Sequence, residues 1–173
     1  MHKPYFIILD GPMGSGKTTV ARLLFRRLLR TVLVTWDDLK AFVSDYGQGK
    51  DDKMILTGMQ MSLVKSSIEN GLNVIMDAGF ARGERMTPFI RLAKQHNYSL
   101  LIYRFAAPHN VLLRRAVGRP KLFWEKKRIS KERIVKHLHE YDVKRYKGPI
   151  TAEIDSLNST SEQIARRIMK NMR

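Results

Sequence analysis

The sequence predicts an α/β fold, with a five-stranded parallel sheet flanked on both sides by helices. Three observations lead there. Short apolar runs alternate with amphipathic helical stretches from end to end, the pattern of βαβ units. Those runs are apolar at consecutive positions rather than at every second one, as strands covered on both faces must be. No repeat, low-complexity tract or Gly/Ser/Pro-rich linker divides the 173 residues, which suits one domain over residues 1–173.

The elements follow in order. PYFIILD (4–10) is the first strand, and KTTVARLLFRRLLR (17–30) is a helix with Val20, Leu23, Leu24 and Leu28 on one face. The β-branched TVLVTW (31–36) is the second strand. Residues 52–69 read as a helix with Ile55, Met59, Leu63 and Ile68 inward, and Gly71 lies just past its end. NVIMD (73–77) is the third strand, 83–96 a helix, and YSLLIYRF (98–105) the fourth strand. HNVLLRRAVGR (109–119) is helical, and PKLFWEKKR (120–128) loses periodicity. Ser130 caps a helix reaching about Tyr146, ITAEID (150–155) is the last strand, and Thr160 with Gln163 forms a capping box for the final helix.

Composition narrows the chemistry. There is no cysteine, which excludes disulfides, thiolate metal sites and cysteine nucleophiles. The apolar run near the N-terminus is too short for a membrane span and no small-residue cleavage site follows it, so a soluble, cytoplasmic protein is expected. The formal charge is +16 and the pI about 10.4. Such a field attracts polyanions, nucleic acid first among them, although it also serves solubility alone.

Gly11-Pro12-Met13-Gly14-Ser15-Gly16-Lys17-Thr18 matches the phosphate-binding loop G-x-x-x-x-G-K-[ST], with a strand ending at Asp10 and a helix beginning near Lys17. The glycines let the backbone turn tightly, and successive N–H groups form an anion nest at the positive end of the helix. Lys17 reaches the β- and γ-phosphates of ATP and the Thr18 hydroxyl binds Mg²⁺; Thr19 belongs to the same nucleotide-binding run.

Acids at the carboxyl ends of parallel strands surround a nucleotide held there. Asp77 ends the third strand, where a carboxylate holds Mg²⁺. Asp37 and Asp38 follow the second strand, where a hydroxyl acceptor would arrive and surrender its proton. Either could instead cap the helix beginning LKAFVSDY. Arg114, Arg115 and Arg119 lie on one predicted helix, the last two on one face, and supply cations for phosphoryl transfer. The aperiodic stretch after them, then a returning helix, reads as a helical lid over about 114–136; a solvated basic hairpin is the plain alternative. Phe123 and Trp124 stand among Lys121, Lys126 and Lys127, and either stack on bases or anchor the lid. His137 and His139 point apart on a helix and read as surface residues; Met54, Met59 and Met61 read as core.

The loop, the Asp37-Asp38-Leu39-Lys40 run, Asp77 and the Arg115/Arg119 pair together resemble the kinase domain of polynucleotide 5′-hydroxyl kinases, within a group that includes zeta-toxin-like and seryl-tRNA kinases. The similarity runs from Tyr5 to about Tyr141 and includes the phrase V-I-M-D-A-G-F-A-R-G-E-R. It implies strand order 2-3-1-4-5 in a P-loop NTPase fold. It implies Asp37 as general base in a D-x-x-R motif, and Arg119 as the lid arginine on the ATP phosphates. Lys40 stands where the family's arginine grips an acceptor phosphate; lysine keeps the charge and loses the bidentate fork. Arg85 matches an arginine common after the third strand and is placed with the acceptor-binding residues. The expected partner is a nucleic-acid end, RNA or DNA. A small-molecule kinase for a sugar, nucleoside or antibiotic, an aminoacyl-tRNA kinase, and a slow ATP-hydrolysing switch are the alternatives.

Overall fold

A computed structural model describes residues 3–47, 49–78, 83–120, 122, 125 and 128–172. The expectations for Lys121, Phe123, Trp124, Lys126 and Lys127, and residues 79–82 of the family phrase, lie outside the described residues.

Five strands form one parallel sheet: β1 (Tyr5–Asp10), β2 (Thr31–Thr35), β3 (Asn73–Ala78), β4 (Ser99–Ala106) and β5 (Ala152–Asp155), in spatial order β2-β3-β1-β4-β5. The central strand explains its own composition. Phe6, Ile7, Ile8 and Leu9 are all fully buried, because successive side chains alternate between two cores. Phe6 and Ile8 face one core, built with α3 (Lys50–Glu69) and α4 (Thr87–Gln95). Ile7 and Leu9 face the other, built with α1 (Lys17–Phe25) and α7 (Ser161–Lys170). Each such side chain contributes roughly 1.5–3 kcal/mol by leaving water. A third, smaller core of Leu112, Ala116, Ile134 and Leu138 joins α5 (His109–Gly118) to α6 (Lys131–Lys144).

Several boundaries differ from the sequence reading. α1 stops at Phe25 rather than residue 30, and the chain turns through Arg30 at φ 48 to enter β2. Trp36 does not extend β2. It opens the short helix α2 (Trp36–Lys40), whose N-cap is Thr35: its hydroxyl accepts from the Asp38 amide at 3.0 Å, so neither aspartate caps. The helix expected over 83–96 begins with a 3₁₀ turn, Gly83–Met86.

The inward face of α3 is rotated from the one expected. Leu56, Gln60, Val64 and Ile68 are buried, whereas Ile55 and Leu63 are exposed. Met59 and Met61 pack against the core, but Met54 is 64% exposed and is not a core residue. Among the described residues no helix is long and apolar enough to cross a membrane.

Candidate active site

Parallel strands bring their carboxyl ends to one edge, and the site is built there. Asp10 is the last residue of β1, in register with Ala78 on one side and Arg104 on the other; Thr35 of β2 is in register with Asp77. The loop Gly11–Gly16 springs from this edge into α1. Its N-cap is Gly16 at φ 88, with no side chain to satisfy the first amides of the helix and nothing within 4 Å of where a Cβ would stand. Open donors at the positive end of a helix form an anion cradle. Gly14 is required for a second reason. At φ +78, a Cβ there would meet the Leu112 carbonyl of α5 at a separation real Cβ atoms do not show. The loop is thus pressed against the α5–α6 pair.

Lys17 begins α1 and is buried, its Nζ donating to the Pro12 carbonyl at 3.0 Å with Ser15 Oγ at 3.5 Å. The Thr18 hydroxyl donates to Asp77 Oδ2 at 2.5 Å. Burial pushes the Asp77 carboxyl above the usual range; Lys17 and the Thr18 bond pull it down, and Asp37 and Asp38 push it up. Those effects require the aspartates of α2 to lie close by. The two then diverge: Lys40 Nζ donates to Asp37 Oδ1 at 2.6 Å, while Asp38 lies 3.5 Å from Arg22 Nη2 on the exposed flank of α1. Thr19 and Arg85 are both exposed, the latter in the 3₁₀ turn.

Arg115 and Arg119 do not share a helical face. α5 ends at Gly118, and Arg119 has extended backbone beyond it. Arg115 Nη1 donates to the Ser156 carbonyl at 3.0 Å. There it lines a cavity of about 450 Å³ between the loop at Gly14–Gly16 and the chain at Ser156–Ser161. Arg119 is held instead by Glu125, through both guanidinium nitrogens, one of them at 3.2 Å. Glu125 is buried and also accepts from the Leu122 amide at 2.8 Å.

Three participants had no signal in the sequence. Glu125 stands among lysines with nothing in its spacing to mark it. His137 was read as a surface residue; it is half-buried, and its Nε2 accepts from the Met13 amide at 3.3 Å, directly on the loop. Burial, with Lys17 nearby, lowers its pKa to about 4, so it is neutral at physiological pH. Met13 also packs its side chain into the α5–α6 core. The third is a buried network behind the loop. Asp10 Oδ2 accepts from Arg104 Nε at 3.2 Å and from the Tyr141 hydroxyl at 2.9 Å, and Arg104 Nη2 donates to the Tyr146 carbonyl at 2.5 Å.

A phosphate-binding loop between a central strand and a helix, with a buried carboxylate on the neighbouring strand and a 2-3-1-4-5 parallel sheet, defines a P-loop kinase. Residues 6–140 match the family model described as an AAA domain, and the chain belongs to that family (AAA_33). No curated protein matches the sequence. Among solved structures, a chain of the Pnkp1/Rnl/Hen1 RNA repair complex is 26% identical, with a TM-score of 0.71 over 87% of this chain and 48% of that one. This chain therefore spans about half the length of that relative. The Mycobacterium tuberculosis APS kinase CysC, in complex with AMPPNP and APS, is 14% identical with a TM-score of 0.69 over 98% of each chain. A gluconokinase from Sinorhizobium meliloti is 13% identical with a TM-score of 0.66, over 99% of this chain and 93% of that one. The last two likenesses are of fold. Together with the family match they show the P-loop nucleotide-binding fold.

Proposed function

We propose that the protein transfers the γ-phosphoryl group of ATP to a hydroxyl acceptor, the 5′-hydroxyl of a polynucleotide. The observation that carries the reading is the Asp37–Lys40 pair, 2.6 Å apart, on the helix that follows the strand paired with Asp77. A carboxylate poised beside a cation suits an acceptor that brings both a proton to lose and a phosphate to hold. The +16 charge and the 26% likeness to a chain of an RNA repair complex point to a nucleic-acid acceptor.

In this reading the amides of Gly14 to Thr18 and the Lys17 ammonium bind the donor phosphates, Lys17 exchanging the Pro12 carbonyl for phosphate oxygens. The guanidinium of Arg115, steadied by Ser156, offers a flat face to the donor base in the adjoining cavity. Thr18 and Asp77, one hydroxyl and one carboxylate already in contact, are the residues that would hold a Mg²⁺. When bound, the ion neutralises charge on the β- and γ-phosphates. Asp37 takes the proton of the acceptor hydroxyl as that oxygen bonds to the γ-phosphorus. The bond from phosphorus to the β–γ bridging oxygen breaks, and ADP departs with the electron pair. Arg119, released from Glu125, supplies a cation to the transferring group. Asp38 and Arg85 take places at the acceptor mouth.

Transfer of label from γ-labelled ATP to 5′-hydroxyl RNA and DNA oligonucleotides tests this. Label on the oligonucleotide, reduced roughly 10²–10⁴-fold by Asp37→Asn with ATP affinity retained, is the expected result. Oligonucleotides inert beside a labelled sugar, nucleoside or antibiotic would establish the second reading. That reading is favoured by Lys40 in the arginine position and by the full-length likeness to a gluconokinase.

A further inference from the structure

The two faces of the sheet carry different parts of the site. Phe105, Val20 and Ile164, which line the cavity beside Arg115, belong to the α1–α7 core. Leu39 and Trp36 of α2, flanking Asp37, pack in the opposite core, and so does Tyr146. On that second face lies another cavity, of about 480 Å³, that the proposed chemistry does not use. One wall is the 3₁₀ turn and the start of α4, at Gly83, Glu84 and Thr87; the other is the chain from Val143 to Gly148. The walls are fitted closely at their base, where Gly83 is buried against the Tyr146 backbone with no room for a Cβ.

Its polar lining is mostly basic: Lys144, Arg145 and Lys147 against Glu84. Two of those cations are engaged at the end of α6. Lys144 Nζ is 3.3 Å from Glu140, and Lys147 Nζ is 3.4 Å from the Asp142 carbonyl. Arg145 differs. Its backbone amide closes the helix on the Tyr141 carbonyl at 2.8 Å, while its side-chain Nε is buried without a hydrogen-bond partner among the described residues. A guanidinium N–H withdrawn from water and given no acceptor is costly to leave so, and its fork matches phosphate. The cavity is also tied to the site. Arg104 bridges Asp10, the residue before the phosphate loop, to the Tyr146 carbonyl in the cavity wall.

We propose that this cavity is an anion subsite in which Arg145 binds a phosphodiester of the acceptor strand, beyond the first nucleotide. The inference rests on the polynucleotide reading above. The strand would run from Asp37 along the α3–α4 face, leaving the nucleotide donor on the other side of the sheet.

The test compares wild type, Arg145→Gln and Arg145→Lys, with melting curves to show that each is folded. Label transfer is followed to a 5′-hydroxyl 12-mer and to a nucleoside 3′-monophosphate over a salt series. The expected result is that Arg145→Gln raises KM for the 12-mer about tenfold and lowers the salt slope of binding by about one, because one phosphate contact is lost. KM for the nucleoside 3′-monophosphate, KM for ATP and kcat stay unchanged, and lysine restores part of the loss. Equal KM values for the 12-mer in wild type and Arg145→Gln overturn the subsite while leaving the polynucleotide reading intact. A loss that is equal for both acceptors overturns it as well, since Arg145 would then serve only the first nucleotide or the fold. Absence of transfer to any oligonucleotide, with no binding of the 12-mer by fluorescence anisotropy, overturns both.

Discussion

Replacing Tyr141 by phenylalanine removes one buried oxygen and leaves the ring in place. That oxygen donates to Asp10 Oδ2 at 2.9 Å, and the other carboxylate oxygen of Asp10 already lacks a partner among the described residues. The variant leaves Asp10 with Arg104 as its one side-chain donor among the described residues, in a position with no exposure to water. A hydrogen bond to a charged group contributes about 1.5–3 kcal/mol, and no cavity cost accompanies the change because the two residues differ by a single atom. A loss near 2 kcal/mol lowers Tm by about 4–8 °C in a chain of this size. Thermal melting by circular dichroism reads it directly, and urea titration at constant m-value checks that stability alone has changed. The pH dependence adds a second constraint. Burial and Asp10 raise the Tyr141 pKa far above its ordinary 10.0, so the phenol is neutral in both folded and unfolded chains below about pH 10. The difference between wild type and variant is therefore flat from pH 6 to 9. Above pH 10 the unfolded chain ionises first, and the wild type loses part of its advantage. A Tm change under 1 °C, or a gain, would refute the account of Asp10 as a buried charge dependent on this donor.

Two further predictions follow from the loop. The His137 pKa, lowered from 6.5 to about 4, means that the unfolded chain takes up a proton before the folded one does as pH falls. Stability should decline between pH 6.5 and 4, by on the order of 3 kcal/mol over the window; His137→Gln should flatten that limb in urea melts, and an unaltered limb would show that other groups cause it. Gly14→Ala should cost about 2–4 kcal/mol, combining overpacking against a backbone carbonyl with a positive φ. It should also weaken nucleotide binding in calorimetry, and a variant as stable as wild type would mean that α5 gives way more readily than its contacts indicate.

Strands were legible in the residues because burial on both faces demands consecutive apolar side chains, and Phe6 to Leu9 or Val74 to Met76 can do little else. The phosphate loop was legible because its chemistry is local and its residue types are fixed by spacing. The inward face of α3 was not. Of the expected stripe Ile55, Met59, Leu63 and Ile68, Met59 and Ile68 do face the core, but Ile55 and Leu63 give way to Leu56 and Val64, and the true stripe contains Gln60, wholly buried with both amide atoms unpaired among the described residues. A helix apolar on several sides takes its orientation from the sheet beneath it, which no window of sequence contains. Thr35 went unnoticed as a cap because a strand reading ran through it. Glu125, Arg104 and His137 belong to the site only through partners 6, 94 and 124 residues away. Only the first of these separations could have been guessed along the chain.

The tie between Tyr141 and Asp10 makes a lever of α6. Lys131, at the N-terminal end of α6, is ten residues from that fulcrum, or about 15 Å at helical rise. A rotation of about 10° about Tyr141, taken together with the α5 helix packed on it, would carry that end through roughly 2.6 Å and His137, about 6 Å from the fulcrum, through roughly 1 Å, which stretches its 3.3 Å contact with Met13 past hydrogen-bond reach. Tyr146 and Arg145 lie just past the fulcrum and would scarcely shift. A tilt of this kind would be felt at Met13 of the phosphate loop and hardly at all at Arg145 and Tyr146, so the one hydrogen bond lets the loop and the second cavity respond separately to the same helix.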